Sequence, residues 1–198
     1  MNKISNYNAM IYLTFDDGIN AQTTPMLLDL LKKHNIKATF FVVAQTLEEN
    51  IEIVNCIKKE GHLIGLHSWS HKNQIFQDPF SLLNDFKKSI NIFKKHHITP
   101  AFYRPPWGHI SLLGLYYCRL YNLNISLWNV IVQDWKKNTS PKIICNKLTE
   151  KVNGTAVICL HDGRGKDDAP KKTIEALCKM IPKWLEEGYS FETIDKLY

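Results

Sequence analysis

The chain has no C-x-x-C pair and no even set of cysteines. Its five cysteines, at positions 56, 118, 145, 159 and 178, mostly lie within apolar stretches. That argues against a disulfide framework or a thiolate metal cluster and leaves buried free thiols as the expectation. No run of about 18 apolar residues is present, so no membrane span is expected. The opening Met1-Asn2-Lys3-Ile4-Ser5-Asn6 lacks the apolar core of a signal peptide. A cytoplasmic location is therefore expected, with secretion the alternative for a chain whose leader has been removed. No recognisable nucleic-acid motif accompanies the basic surplus of 25 Lys+Arg over 19 Asp+Glu, a net charge of +6. Pairs such as Lys32-Lys33, Lys58-Lys59, Lys87-Lys88 and Lys171-Lys172 fall on helical segments and read as solvated faces, so no nucleic-acid partner is expected. Linkers, repeats and composition breaks are also missing. Residues 1–198 thus read as a single domain, monomeric by default, whose 44% hydrophobic content supplies a sizeable core.

What is present is an alternation of strand-like and helix-like segments. Apolar or β-branched runs occupy Met10–Phe15, Ala38–Val43, Leu63–Leu66, Ala101–Tyr103, Ile125–Val132, Ala156–Leu160 and, more weakly, Ser190–Ile194. Between them, Thr24-Pro25, Asp78-Pro79 and Ser140-Pro141 each place a small polar cap before a first-turn proline, a helix start signal. Gly61 and Gly188 sit where helices should stop. Seven strands alternating with helices predict an α/β protein with a mainly parallel sheet. Asp16-Asp17, His67, Arg104, Asp134 and His161 each fall at or just after the C-terminal end of a predicted strand. That edge is the catalytic face of a β/α barrel, whereas an open doubly wound sheet gathers ligands only at its switch point. Five strand ends feeding one site predict a distorted (β/α)-barrel of about seven parallel strands.

The clusters at those ends carry chemistry. His67 and His71, spaced H-x3-H, can share one ion, and Asp17 can supply a third ligand, leaving a fourth position for water as in catalytic zinc sites. Asp16 and Asp17 cannot both face one way on an extended backbone. Gly18 permits a turn in which one ligates and the other addresses the water as a base. In Arg104-Pro105-Pro106-Trp107-Gly108, the arginine can keep a site carboxylate ionised while two prolines fix the loop and present the Trp107 N–H to a developing oxyanion. His161, at the end of a buried run and followed by Asp162-Gly163, suits a general acid, with Asp134 to hold its imidazole and Trp135 to wall a groove.

Taken together, T-F-D-D-G, H-S-x-x-H, R-P-P-W-G, D-W and I-x-L-H-D, in this order, resemble the signature motifs of the polysaccharide deacetylase family, also called the NodB-homology domain or carbohydrate esterase family 4. The resemblance runs from about residue 11 to 194. It implies a distorted barrel that removes acetyl groups from N-acetylated sugars, or O-acetyl groups from glycans such as acetylxylan, with a divalent metal, usually Zn2+ (Co2+, Ni2+ or Mn2+ being alternatives). The implied partner is an acetylated glycan or oligosaccharide; a small acetylated amine or biosynthetic intermediate is the alternative substrate. It also implies roles: Asp16 as base; Asp17, His67 and His71 as ligands; Arg104 as anchor of the base; the Trp107 N–H at the oxyanion; Asp134 tuning His161, the acid; Trp135 and Leu160 lining the acetyl pocket. The chain departs from the family pattern at Ile19, where proline is usual, at Ile131, where the D-x-x-D-W motif begins with aspartate, and at Trp107, where tyrosine is common.

Overall fold

The computed structural model describes residues 9–198; the reading of Met1–Asn6 lies outside them. In chain order the elements are β1 (Met10–Asp16), α1 (Thr23–Lys33), β2 (Thr39–Val42), α2 (Ile51–Lys59), β3 (Leu63–Leu66), α3 (Pro79–Lys95), β4 (Phe102–Tyr103), α4 (Leu112–Leu120), β5 (Asn124–Ile125), β6 (Val130–Ile131), α5 (Pro141–Lys151), β7 (Ala156–His161), α6 (Ala169–Glu186) and β8 (Ser190–Phe191), with short 3-10 turns between. The strands are parallel, in the order β5-β4-β3-β2-β1-β7-β6, and β8 pairs with the start of β1.

The predicted run Ile125–Val132 is two strands at opposite ends of this order. That placement forces curvature. Six strand spacings of about 4.8 Å would separate the edges of a flat sheet by about 29 Å, but five residue steps from Ile125 to Val130 reach at most about 18 Å. The sheet therefore curls into the expected distorted barrel. Among the described residues no ladder joins β5 to β6, so the barrel has a seam.

Side-chain parity sorts the strands into two layers. Ile11, Leu13 and Phe15 of β1, with Phe40, Val42, Ile158 and Leu160, join the apolar faces of the helices, including Leu27, Leu31, Phe86, Phe93, Leu177 and Trp184. Each fully buried side chain of this kind contributes roughly 1.5–3 kcal/mol. Tyr12, Phe41, Phe102, Val157 and Ile194 form a smaller cluster within the barrel. Above that plug the inward positions turn polar, at Thr14 and Asp16. Apolar residues close the barrel below and leave its C-terminal rim for chemistry.

The helix signals hold at Asp78, whose carboxylate accepts the N–H groups of Phe80 and Ser81, and at Ser140, which accepts that of Ile143. Gly61 (φ 78°) and Gly188 (φ 84°) follow the ends of α2 and α6 in the left-handed conformation. Thr24 differs. Helix α1 begins at Thr23, two residues before Pro25, Asn20 Oδ1 accepts the N–H groups of Gln22 and Thr23, and the Thr24 hydroxyl donates to Asp162 instead. No helix among the described residues is long and apolar enough to cross a membrane.

Candidate active site

Asp16 ends β1 and His161 ends β7, and the two are register partners on neighbouring parallel strands. Arg104 follows β4 and reaches into the barrel, fully buried. Its Nη1 donates to Asp16 Oδ1 at 2.8 Å and to Thr14 Oγ1 at 2.5 Å. Its Nε and Nη2 donate to the carbonyls of Ser126 (3.1 Å) and Leu127 (3.2 Å), and its guanidinium lies 4.0 Å from the Phe41 ring centroid. Residues 126 and 127 belong to the link between β5 and β6. One arginine thus anchors Asp16 and supplies hydrogen bonds where the seam lacks a ladder.

Asp17, His67 and His71 converge beside this pair. Their ligand atoms lie within 4.8 Å of one another. The H-x3-H segment is a loop, with Ser68 (φ 65°) and His71 (φ 57°) left-handed. It is held by the Ser68 hydroxyl accepting the His71 N–H, and by the Asp85 carboxylate accepting the Trp69 N–H. Asp17 is left-handed too (φ 69°), which turns its side chain away from that of Asp16. His67 Nδ1–H donates to the Arg104 carbonyl at 2.7 Å, which leaves the Nε2 lone pair for a ligand. That Nε2 is 3.3 Å, and His71 Nε2 2.9 Å, from Asp17 Oδ1, a fully buried oxygen with no well-formed hydrogen bond. Converging lone pairs need positive charge between them. Burial pushes the Asp17 carboxyl up, but its close polar contacts with His67 and His71 outweigh that and hold the group well below the usual carboxylate range. A divalent cation answers the same need with the donor set of a catalytic metal site, so the residues present fit a metal.

On the other side, Asp134 is fully buried and fully engaged. Oδ1 accepts from His161 Nδ1 at 2.9 Å; Oδ2 accepts the His161 N–H and the Thr173 hydroxyl, each at 2.9 Å. Burial pushes the His161 imidazole down, but the charge and hydrogen bond of Asp134, helped by Asp16 and Asp17, raise it to about 9. The Trp135 ring packs edge-on against it at 4.7 Å.

The loops after β1 and β7 interlock. A Cβ at Gly18 would overlap the Asp162 carboxylate, and one at Gly163 would overlap the Asp17 carbonyl. The Thr23 hydroxyl donates to the Asp162 carbonyl at 2.6 Å and that of Thr24 to its Oδ2 at 2.5 Å. Burial pushes the Asp162 carboxyl up to about 7. We expect Gly163→Ala to cost roughly 1–3 kcal/mol of stability and to weaken divalent-metal binding, because backbone at a ligand must move. Thermal melts and competition with a chromophoric chelator measure both, and unchanged metal affinity would count against this coupling.

Asp16, Asp17, His67, His71, Trp107, Trp135 and His161 all line one cavity of about 730 Å3. Arg104 and Asp134 support it from behind. Trp107 (φ 57°) is 54% exposed and packs its ring on His71 at 4.4 Å. Leu160 is not in the wall: parity turns it outward into the sheet–helix core, and Cys159, two residues before His161, lines the cavity in its place. The Cys159 thiol donates to Asp16 Oδ2 at 3.4 Å. His109, Trp128 and four basic residues of the cavity were also missed by motif reading. Counting back two residues from His161 would have found Cys159. Ile131 lines the cavity where the family pattern has aspartate. Ile19 stands in place of proline after a cis Gly18–Ile19 bond, and its N–H donates to Thr46 Oγ1 at 3.2 Å, a hydrogen bond proline could not make.

A carboxylate and an imidazole on adjacent strand ends, with a metal triad beside them, is the layout of metal-assisted hydrolysis. The chain belongs to the polysaccharide deacetylase family, whose profile matches residues 3–124. It is 34% identical over 192 residues to the peptidoglycan-N-acetylglucosamine deacetylase PgdA of Listeria monocytogenes, covering 96% of this chain but 39% of that protein. The chain thus spans about two fifths of that relative's length. Among solved structures, the Bc1960 peptidoglycan N-acetylglucosamine deacetylase, in complex with an N-hydroxybenzamide ligand, superposes with a TM-score of 0.88 at 34% identity, covering 97% of this chain and 89% of that one. A family 4 acetyl xylan esterase from Clostridium thermocellum with a cobalt ion gives 0.84 at 31% identity, covering 95% and 89%.

Proposed function

We propose that this chain is a zinc-dependent deacetylase that removes acetyl groups from N-acetylated amino sugars of peptidoglycan or chitooligosaccharide type. One observation carries the reading: Asp16 and His161 sit as register partners beside the triad of Asp17, His67 and His71. A divalent cation on that triad would polarise the acetyl carbonyl and acidify a water. Asp16, with Oδ1 pinned by Arg104, takes a proton from the attacking water through its carboxylate. The Trp107 N–H steadies the carbonyl oxygen as it gains negative charge. His161 Nε2 then gives a proton to the amine nitrogen as the carbon–nitrogen bond breaks, releasing acetate and a free amino sugar. Asp134 keeps that imidazole charged and oriented, and Trp135 with Cys159 walls the space for the methyl group.

Acetate release from chitooligosaccharides, peptidoglycan fragments, acetylxylan and small acetylated amines tests this reading. N-acetylated sugars should be cleaved, a chelator should abolish the activity, and zinc or cobalt should restore it. Zinc-loaded protein that frees no acetate from any of the four would defeat it; a preference for acetylxylan would make it an esterase.

A further inference from the structure

The two walls of the cavity differ in charge. Trp107, His109 and Trp128 form an aromatic wall, while the wall beyond His161 presents Lys136, Lys137, Arg164 and Lys166, all exposed. These four cations come from two loops, one after β6 and one after β7, that the backbone ties together. The Lys166 N–H donates to the Trp135 carbonyl at 3.3 Å. Gly165 (φ 141°) permits that approach, since a Cβ there would lie 3.3 Å from Trp135 Cα and press on Ala169. Among the described residues no salt bridge engages any of the four. Asp167 and Asp168 are close in sequence, yet Asp168 pairs with Lys171 at 3.3 Å. The carboxylates in and behind the cavity are committed as well: Asp16 to Arg104, Asp17 to the imidazoles and, behind it, Asp134 to His161. On a helix face such lysines would be spread among acids and solvated. Here they crowd the mouth of a reaction cavity without counterions, a field that draws negative charge.

We propose that this basic wall is a subsite for carboxylate groups, so that the preferred substrate is an acidic acetylated glycan and not a neutral one. The inference rests on the deacetylase reading of the same site and adds its substrate class. A short oligomer of N-acetylated amino sugars in which alternate residues carry a carboxylate-bearing ether is the probe, prepared with free carboxylates and with the carboxylates capped as methyl amides. Stopped-flow tryptophan fluorescence on zinc-loaded protein, read before turnover, gives dissociation constants; acetate release on the same samples gives rates.

Wild type should bind the free-carboxylate form about tenfold tighter than the capped form, the scale of several exposed ion pairs acting together. K136Q/K137Q/R164Q/K166Q should lose that preference while binding the capped form within about twofold of wild type. The wild-type preference should also shrink as salt rises from about 50 mM to about 300 mM. Equal binding of both forms by wild type, or a preference that survives in the variant, overturns the subsite. A binding preference without acetate release sinks the deacetylase reading and leaves the subsite standing. Acetate release with no preference does the reverse.

Discussion

Asp16→Asn is expected to lower acetate release by roughly 10²–10⁴-fold while the metal stays bound. The amide keeps the shape of the carboxylate but cannot accept the water's proton. The ligand set, Asp17, His67 and His71, is untouched, so metal content should match wild type. A second effect accompanies the first. Arg104 is fully buried and Asp16 is its only carboxylate partner among the described residues; the remaining acceptors are Thr14 and two carbonyls. Neutralising Asp16 leaves a buried cation uncompensated, which costs about 3–5 kcal/mol and lowers Tm by about 6–20 °C. Activity, zinc content and melting temperature measured on one preparation separate the two losses. Near-wild-type turnover would remove Asp16 from the role of base.

His161→Ala should reduce acetate release by a similar roughly 10²–10⁴-fold, and the pH behaviour of the site says why. The imidazole keeps its proton up to about pH 9, so in the proposed role of acid it is ready at neutral pH and kcat/KM should fall as pH rises through that value. Asp134→Asn removes the largest influence holding the proton in place, with burial working against it. The alkaline limb should therefore move to lower pH in that variant, and a limb that stays put would count against His161 as the acid. Stability follows the same proton. An imidazole raised from 6.5 in the unfolded chain to about 9 in the fold contributes stability that is complete below about pH 6.5 and lost as pH rises through 9. Melts of wild type and His161→Ala should thus converge toward alkaline pH.

Polar residues at strand ends were legible because each broke an apolar run sharply, and five such breaks in one order identify a barrel rim. What runs of apolar residues hide is parity. In Ala156–His161 every position is apolar until the last, so nothing in composition says that Cys159 faces the cavity and Leu160 the helices. A buried parallel strand carries no alternation to read. The same uniformity concealed the break inside Ile125–Val132, where the chain crosses from one edge of the sheet to the other. Thr24 was misread as a cap because its pattern matched one, while its hydroxyl had a stronger partner in Asp162, 138 residues away. The basic wall was invisible for another reason: Lys136-Lys137 and Arg164-Lys166 become one surface only when two loops meet across Gly165.

The mutual fit of Gly18 with Asp162 and of Gly163 with Asp17 has a consequence for how such proteins can be re-engineered. The loop bearing Asp16 and the loop bearing His161 are cut to each other's shape, so neither is a module that can be transplanted alone. Chimeras that exchange both loops together should fold and bind a divalent metal, and those that exchange one should do neither well. The side chains of Lys136, Lys137 and Arg164 are exposed, and side-chain diversity is best introduced there when substrate range is the target.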